Sequence, residues 1–281
     1  MAKSTGTKIW QILVGILVLI LILLVIAELG LRWFIGNQLR STFEDQAQEQ
    51  GITLEEKPSV SFGASPLVFS VLGGNIGEMD MTTPSTLQIN YPDGPTSIPE
   101  VLGSPAATVN MVNLDISDPN NPVAGEMLTT TEIPDEMILA MIQRSTADAQ
   151  GTSQDTGFGA AFLQELIKVT GITSRPEGNV IDVEFTNGAA VLSLTPRVEA
   201  GELLFQATNA SLFGFDLPAE VSEMITTALE QNMQDATGDM EITEFGVIDG
   251  GIQLSIRGEN LPLREIGESA ALNSDSAATT P

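Results

Sequence analysis

The chain has 281 residues, of which 37 are acidic and 11 are basic, and its formal net charge is −26. It contains no cysteine and no histidine. Disulfide bonds, zinc sites built from these residues, and catalysis by a thiolate or an imidazole base are therefore excluded. The strong negative charge also argues against nucleic acid as a partner, because phosphate binding requires lysine and arginine side chains.

The first predicted element is an apolar segment over residues 9–27, in which Gln11 is the one clearly polar side chain. As an α-helix this segment would be about 28 Å long, close to the thickness of the hydrocarbon core of a bilayer. A secretory signal peptide usually has a shorter apolar core, of about 7–15 residues. The length therefore favours a transmembrane helix that is retained as an anchor.

The basic residues near the N-terminus predict the orientation of this helix. Lys3 and Lys8 precede it, so residues 1–8 are expected in the cytoplasm and residues 28–281 outside the cytoplasmic membrane. The alternative is a signal peptide that is cleaved after Ala27, since small residues stand at that point and would suit a signal peptidase. The remaining chain would then be secreted, so both interpretations place it outside the cytoplasm.

A helical repeat of apolar residues continues over residues 28–51, with Gly51 as its predicted end. The repeat predicts a helix that leaves the membrane and packs on the following domain. The alternative, a solvated stalk, would not need two aromatic side chains on one side. The predicted packing stripe consists of Leu29, Trp33, Gly36, Leu39, Phe43 and Ala47.

Alternating apolar and polar residues predict strands over much of the remaining chain. The two-residue turn signals Asn187-Gly188 and Asp249-Gly250, together with a turn at 199–202, predict antiparallel hairpins. The predicted strands are residues 76–81, 85–91, 108–116, 179–186, 189–195, 202–208, 240–248 and 251–258.

Amphipathic helices interrupt these strands and are expected to pack on them. Residues 145–157 are predicted to form a polar, mobile loop, and residues 267–281 a disordered tail. The sequence thus predicts an α+β fold over residues 28–266. It is an elongated, mostly antiparallel sheet with amphipathic helices packed on it, preceded by one N-terminal transmembrane helix. The predicted helices are residues 134–144, 159–169 and 217–235.

The chain shows no catalytic, cofactor-binding or metal-binding motif. The glycines of residues 71–77 match neither a dinucleotide fingerprint nor a P-loop, and residues 115–122 lack the spacing of an EF-hand and predict a turn. Acidic residues are so abundant that no pair can be chosen as a general acid and base. The sequence therefore predicts a protein that is not an enzyme and that binds neither a cofactor nor a metal.

Basic side chains are rare enough to be informative. Lys168, Arg175 and Arg197 are candidate contacts for a lipid phosphate, because guanidinium and ammonium groups bind phosphate oxygens. The alternative is ordinary ion pairing with the many carboxylates.

Residues 60–81 read VSFGASPLVFSVLGGNIGEMDM, an apolar run between Pro66 and Gly73 that by itself favours a buried, turn-bounded segment. The order of this stretch and three later ones resembles the LmeA-like phospholipid-binding proteins of actinobacterial cell envelopes. An exported segment followed by an acid and an arginine, here Glu28 and Arg32, is also similar to that family. The later stretches are LSLTPRVEAGELLF (192–205), NASLFGFDLP (209–218) and EITEFGVIDGGIQLSIRGENLPL (241–263).

This resemblance implies a fold similar to that of the tubular lipid-binding proteins. It also implies non-catalytic binding of a phospholipid or another acyl lipid in an apolar groove, in maintenance of envelope lipid or lipoglycan. The residues expected to contact lipid are Leu67, Val68, Phe69, Val71, Leu72, Phe213 and Phe215.

Two other functions remain open from the sequence alone. One is a structural or scaffolding envelope protein whose acidic surface binds cations or a basic partner, and its core would be closed and without a groove. The other is a hydrolase that uses an Asp/Glu pair. The sequence specifies no protein partner.

Overall fold

The computed structural model describes residues 5–49, 51–52, 54, 56–92, 94, 97–152, 168–212, 215–216 and 240–264. The helices are α1 (Thr5–Glu49), α2 (Leu67–Leu72) and α3 (Asp135–Thr152). The strands are β1 (Ser59–Phe62), β2 (Asn75–Thr83), β3 (Gln88–Asn90), β4 (Glu100–Leu102), β5 (Ala107–Asp115), β6 (Val123–Pro134), β7 (Val169–Arg175), β8 (Val180–Phe185), β9 (Ala190–Glu199), β10 (Glu202–Leu212), β11 (Phe215–Asp216), β12 (Glu241–Ile248) and β13 (Gly251–Pro262).

Helix α1 joins the apolar N-terminal segment and the predicted second helix into one continuous rod. Residues 16–45 are long and apolar enough to cross a membrane, and their most apolar part is not buried in the described protein. The helix ends where predicted, since Gly51 has a φ of +72° and its amide donates to the Gln48 carbonyl at 2.9 Å. A left-handed glycine of this kind commonly terminates a helix.

The face of α1 that packs on the sheet differs from the predicted stripe. Leu31 and Ile35 lie against the apolar core, whereas Leu29 and Trp33 are exposed. The predicted stripe was therefore wrong at this end of the helix. The reason is that Arg32 forms hydrogen bonds with the loop after β1, as described below. The side of α1 that carries Arg32 therefore faces the domain, and the neighbouring side faces outward.

The strands form antiparallel sheets, and the predicted α+β class is confirmed. Among the described residues, one sheet has six strands in the order β1-β2-β5-β6-β13-β12, and a second has five in the order β11-β10-β9-β8-β7. A short pair, β3-β4, forms a third. All of their pairings are antiparallel, and the predicted turns form with positive φ at Asn187-Gly188 and at Ala200-Gly201, as tight hairpins require.

The two larger sheets share an apolar core, here called the interface cluster. Strands β12 and β13 contact β7, β9 and β10, and the rings of Phe205 and Phe245 meet edge to face with centroids 6.4 Å apart. Helix α3 covers β7 and is fixed at its start by Asp135, which accepts a 2.8 Å hydrogen bond from the Ser174 amide. The interface cluster consists of Ile172, Ile181, Val183, Phe185, Ala190, Leu192, Leu194, Val247 and Ile252.

A second apolar core, here called the methionine cluster, lies between the six-stranded sheet, α1 and α2. Met79 on β2 pairs with Met111 on β5, which pairs with Met127 on β6, so three methionines lie side by side across three strands. Methionine is flexible and polarizable and adapts to irregular apolar surfaces. The methionine cluster consists of Leu67, Ile76, Met79, Met111, Leu114, Ala124 and Met127.

A transverse row of residues reverses the side-chain alternation of the six-stranded sheet. The row runs from Gly77 through Asn113 and Gly125 to Asn260, and both asparagines have positive φ, +54° and +52°. A side chain at Gly125 would lie 3.0 Å from the Asn113 Cβ. Residues three apart, rather than two, therefore face the methionine cluster.

This row explains the largest omission of the sequence prediction. Strand β6 pairs with both β5 and β13 but was not predicted. Its buried residues Ala124 and Met127 are three positions apart, whereas a strand is recognised by apolar residues two positions apart. Strand β7 was also missed. The predicted loop at 145–157 was wrong over residues 145–152, which continue α3.

Several predictions fall largely or wholly outside the described residues. They are the helices at 159–169 and at 217–235, together with the tail at 267–281. Of the first helix, Lys168 and Val169 are described, and Val169 begins β7.

Candidate functional site

The candidate site is formed where α1, just after its apolar segment, meets the loop between β1 and α2. Arg32 donates hydrogen bonds to three backbone carbonyls of this loop, all at 3.0 Å. The fixed fork of a guanidinium group suits this arrangement, and a lysine could not reproduce it. The three acceptors are the carbonyls of Phe62, Gly63 and Ser65.

Glu28 completes the contact by capping the start of α2. Its Oε1 accepts a 2.8 Å hydrogen bond from the Leu67 amide, and its Oε2 accepts a 3.0 Å bond from the Val68 amide. Arg32 donates from Nε to the same carboxylate at 2.5 Å. We call these contacts of Glu28 and Arg32 the clamp. A carboxylate is well placed here because the first amides of a helix have no partners within the helix.

The surroundings of Glu28 favour its charged form. Burial of the carboxyl raises its pKa, but the hydrogen bonds from the Leu67 and Val68 amides and from Arg32 outweigh burial and hold the pKa below its ordinary value of 4.5. The clamp is therefore fully charged at neutral pH.

The lowered pKa of Glu28 predicts a pH-dependent contribution to stability. Because the folded-state pKa lies below the unfolded-state value, the contribution is present above pH 4.5 and is lost as the pH falls through the folded-state pKa. We expect Glu28→Gln to lower the free energy of unfolding by about 1–2 kcal/mol at pH 7. The difference from wild type should shrink progressively below pH 4.5.

Urea unfolding of both proteins in detergent, followed by circular dichroism across this pH range, measures that difference. The other carboxyl groups titrate in both proteins and cancel in the comparison. Glu177→Gln, at an exposed turn, is the matched control. A difference that stays constant as the pH falls would contradict the assignment of the effect to the Glu28 carboxylate.

Helix α2 carries both buried and exposed apolar side chains. Leu67 is 1% exposed and belongs to the methionine cluster, whereas Phe69 is 59% exposed and Leu72 is 81% exposed. Val68 is half-buried and Val71 is exposed. The five residues of α2 among the seven predicted lipid contacts thus comprise one core side chain, one half-buried side chain and an exposed apolar edge.

A small cavity lies beside α2. Its volume is about 210 Å³, and Phe62, Leu67 and Ile76 line it together with Glu78 and small residues. Ordinary ligand pockets measure about 300–1,000 Å³. The cavity is therefore too small to enclose a whole lipid, although it borders the methionine cluster through Leu67 and Ile76.

The structure does not bring the three candidate phosphate contacts together. Lys168 and Arg175 flank opposite ends of β7, which separates them by about 23 Å. Arg175 forms an ion pair with Asp182 at 2.7 Å, in agreement with the alternative of ordinary ion pairing. Arg197 is exposed on β9. No common phosphate site is formed from these three residues.

The remaining sequence predictions about the site have simple outcomes. Phe213 and the side chain of Phe215 lie outside the described residues. The segment at 115–122 is a turn, as predicted, since the Ser117 amide donates to Asp115 Oδ1 at 2.8 Å. Within the described part of the chain, no group of three or more acidic residues is arranged to hold a metal ion.

Comparison with known protein families identifies the family of this chain. A family model described as LmeA-like phospholipid-binding matches residues 26–257. The chain belongs to this family. The resemblance found in the sequence is thereby confirmed. Comparisons with curated proteins and with solved structures found no match.

The match to the LmeA-like family begins at the end of the apolar segment and includes the whole clamp. The sequence had shown Glu28 and Arg32 as a pair one helical turn apart, but it gave no sign of their partners in the loop after β1. The signal available in the sequence was Pro66, which stands at the N-cap position of α2 and whose side chain makes no capping hydrogen bond. A pair that binds backbone groups 30 to 40 residues away leaves no local pattern.

Proposed function

We propose that this LmeA-like protein is a membrane-anchored protein that binds phospholipid without catalysis on the outer side of the cytoplasmic membrane. Residues 1–8 are cytoplasmic, residues 9–27 cross the membrane, and residues 28–266 form the lipid-binding domain. Its role is the maintenance of envelope lipid or lipoglycan. The observation that carries the proposal is the clamp, which ties α2 to α1 directly after the apolar segment.

The methionine cluster is the proposed binding region for an acyl chain. It lies under α2, it borders the cavity, and its three aligned methionines can rearrange around a flexible chain at low cost. The other side chains of the methionine cluster are aliphatic, and contact with them favours burial of an acyl chain. Leu67 is the side chain of α2 that covers this region.

Neutralisation of the lipid headgroup is not part of this proposal. The surface carries far more acidic than basic groups, and the three rare basic residues do not converge. Affinity is expected to come mainly from burial of the acyl chain.

The test is to identify the bound lipid and the residues that touch it. The full chain is purified in detergent, its lipids are extracted for mass spectrometry, and a phospholipid with a photoreactive group on its acyl chain is then crosslinked to it. We expect bound phospholipid, and crosslinks in peptides that contain Met79, Met111 or Met127.

The control separates specific binding from general membrane contact. Crosslinks confined to residues 9–27 would be those of any membrane helix and would contradict the proposal. That result, together with a lack of co-purified lipid, would favour the scaffolding alternative.

A further inference from the structure

The outer edge of α2 is an apolar surface that no element of the described part of the chain covers. Phe69 and Leu72 are 59% and 81% exposed, although they belong to a well-defined helix. No charged residue lies between Lys57 and Glu78. In so acidic a chain, a run of this length without acidic side chains adds no repulsion from anionic headgroups.

The position of this edge is fixed relative to α1. The clamp holds the first two amides of α2 on Glu28, the residue that follows the apolar segment. The whole of α2 is about 9 Å long. Phe69 and Leu72 therefore lie within about 9 Å, the length of α2, of the level at which the apolar segment of α1 ends.

Just after its apolar segment, α1 also carries exposed aromatic side chains. Trp33 is 70% exposed, and Phe34 is also exposed. Tryptophan is enriched where membrane proteins cross the boundary between lipid and water. The exposed aromatic side chains of α1 follow Glu28 by five and six residues, and the start of α2 is hydrogen-bonded to Glu28.

We infer that the edge of α2 formed by Phe69 and Leu72 inserts into the outer leaflet of the membrane that α1 crosses. The partner is the lipid bilayer itself, because this apolar edge is held by Glu28, the residue of α1 that directly follows the apolar segment 9–27. The inference rests on the membrane anchoring of the proposed function. It adds that the domain is held against the bilayer, with Leu67 and the methionine cluster directly behind the inserted edge.

This arrangement gives a lipid a short path to the binding region. An acyl chain that leaves the outer leaflet beside α2 would meet the methionine cluster without crossing water, which is the costly step for an apolar chain. The inserted edge and the binding region are parts of the same short helix, on its outer and inner sides.

Because the chain contains no cysteine, a single introduced cysteine can be labelled at a known position. Single-cysteine variants of the full chain are Phe69→Cys, Leu72→Cys, Ile98→Cys and Ile22→Cys, each labelled with an environment-sensitive fluorophore and reconstituted in vesicles of neutral and anionic phospholipid. Ile98 is 57% exposed, matching Phe69, and lies beside β4 rather than α1. Ile22 lies within the apolar segment and reports the anchoring.

Two quenchers are compared at each position, acrylamide from water and a nitroxide-labelled lipid from the bilayer. We expect labels at positions 69 and 72 to be quenched by the lipid and to be several-fold less sensitive to acrylamide than the label at 98. Thermal unfolding midpoints equal to wild type show that each labelled variant is folded.

The outcomes separate this inference from the proposed function. Labels at 69 and 72 that respond like the label at 98 would overturn the insertion, even if phospholipid is still bound. Labels shielded from acrylamide but untouched by the lipid quencher would mean that a protein surface covers the edge, and this also overturns it. Insertion without bound phospholipid would overturn the proposed function alone.

Discussion

Replacing Arg32 with alanine is expected to lower the free energy of unfolding of the domain by about 3 kcal/mol. The variant removes hydrogen bonds to three backbone carbonyls and leaves the Glu28 carboxylate without its charged partner. Removing one member of a partly buried ion pair is costly because the remaining charge stays desolvated. The Arg32 and Glu28 side chains are 30% and 19% exposed, so water offsets part of this cost.

Denaturant unfolding in detergent, monitored by circular dichroism, measures the effect. Arg40→Ala is the matched control on the same helix, since the described contacts of Arg40 include one hydrogen bond, to the Pro58 carbonyl at 3.1 Å. We expect it to cost about 1 kcal/mol. Arg32→Lys should fall between wild type and alanine, because a lysine cannot reach all three carbonyls. Equal effects of Arg32→Ala and Arg40→Ala would show that the clamp has no special role.

The second large effect is expected from Leu67, whose replacement by alanine should destabilise the domain by about 3 kcal/mol. Leu67 is almost completely buried in the methionine cluster, so the substitution removes apolar contact and leaves a cavity. Phe69→Ser, two residues away on the exposed edge, should change stability by less than about 0.5 kcal/mol in detergent.

The two variants are also expected to differ in membrane association. Phe69→Ser should leave the fold intact and weaken the contact of the domain with the bilayer, whereas Leu67→Ala should destabilise the domain. Denaturant unfolding measures the change in stability. Protection of the 60–81 peptide from hydrogen exchange in vesicles measures the contact with the bilayer. Comparable destabilisation by both variants would mean that α2 is buried on both sides.

Features that depend on neighbouring residues could be predicted from the sequence. The long apolar segment, the helix that continues from it, and the hairpins at Asn187-Gly188 and Asp249-Gly250 were found because each is determined by a few consecutive residues. The family resemblance was also found, since it depends on the order of several stretches along the chain.

Features that depend on distant contacts could not be predicted in this way. Strand β6 was missed because the positive φ at Asn113, on the neighbouring strand, belongs to a row that reverses the alternation of buried residues across the sheet. The inward face at this part of α1 was assigned to the wrong residues, because it is determined by hydrogen bonds from Arg32 to residues 30 or more positions further on.

The stretch from Val60 to Met81 shows the division between sequence and tertiary structure most clearly. Its sequence alone determined that an apolar, uncharged segment is bounded by Pro66 and Gly73. It did not determine which side chains are buried, because the run has no clear period. The tertiary structure decided this: Glu28 caps the helix and fixes its rotation, so that Leu67 enters the core and Phe69 remains outside.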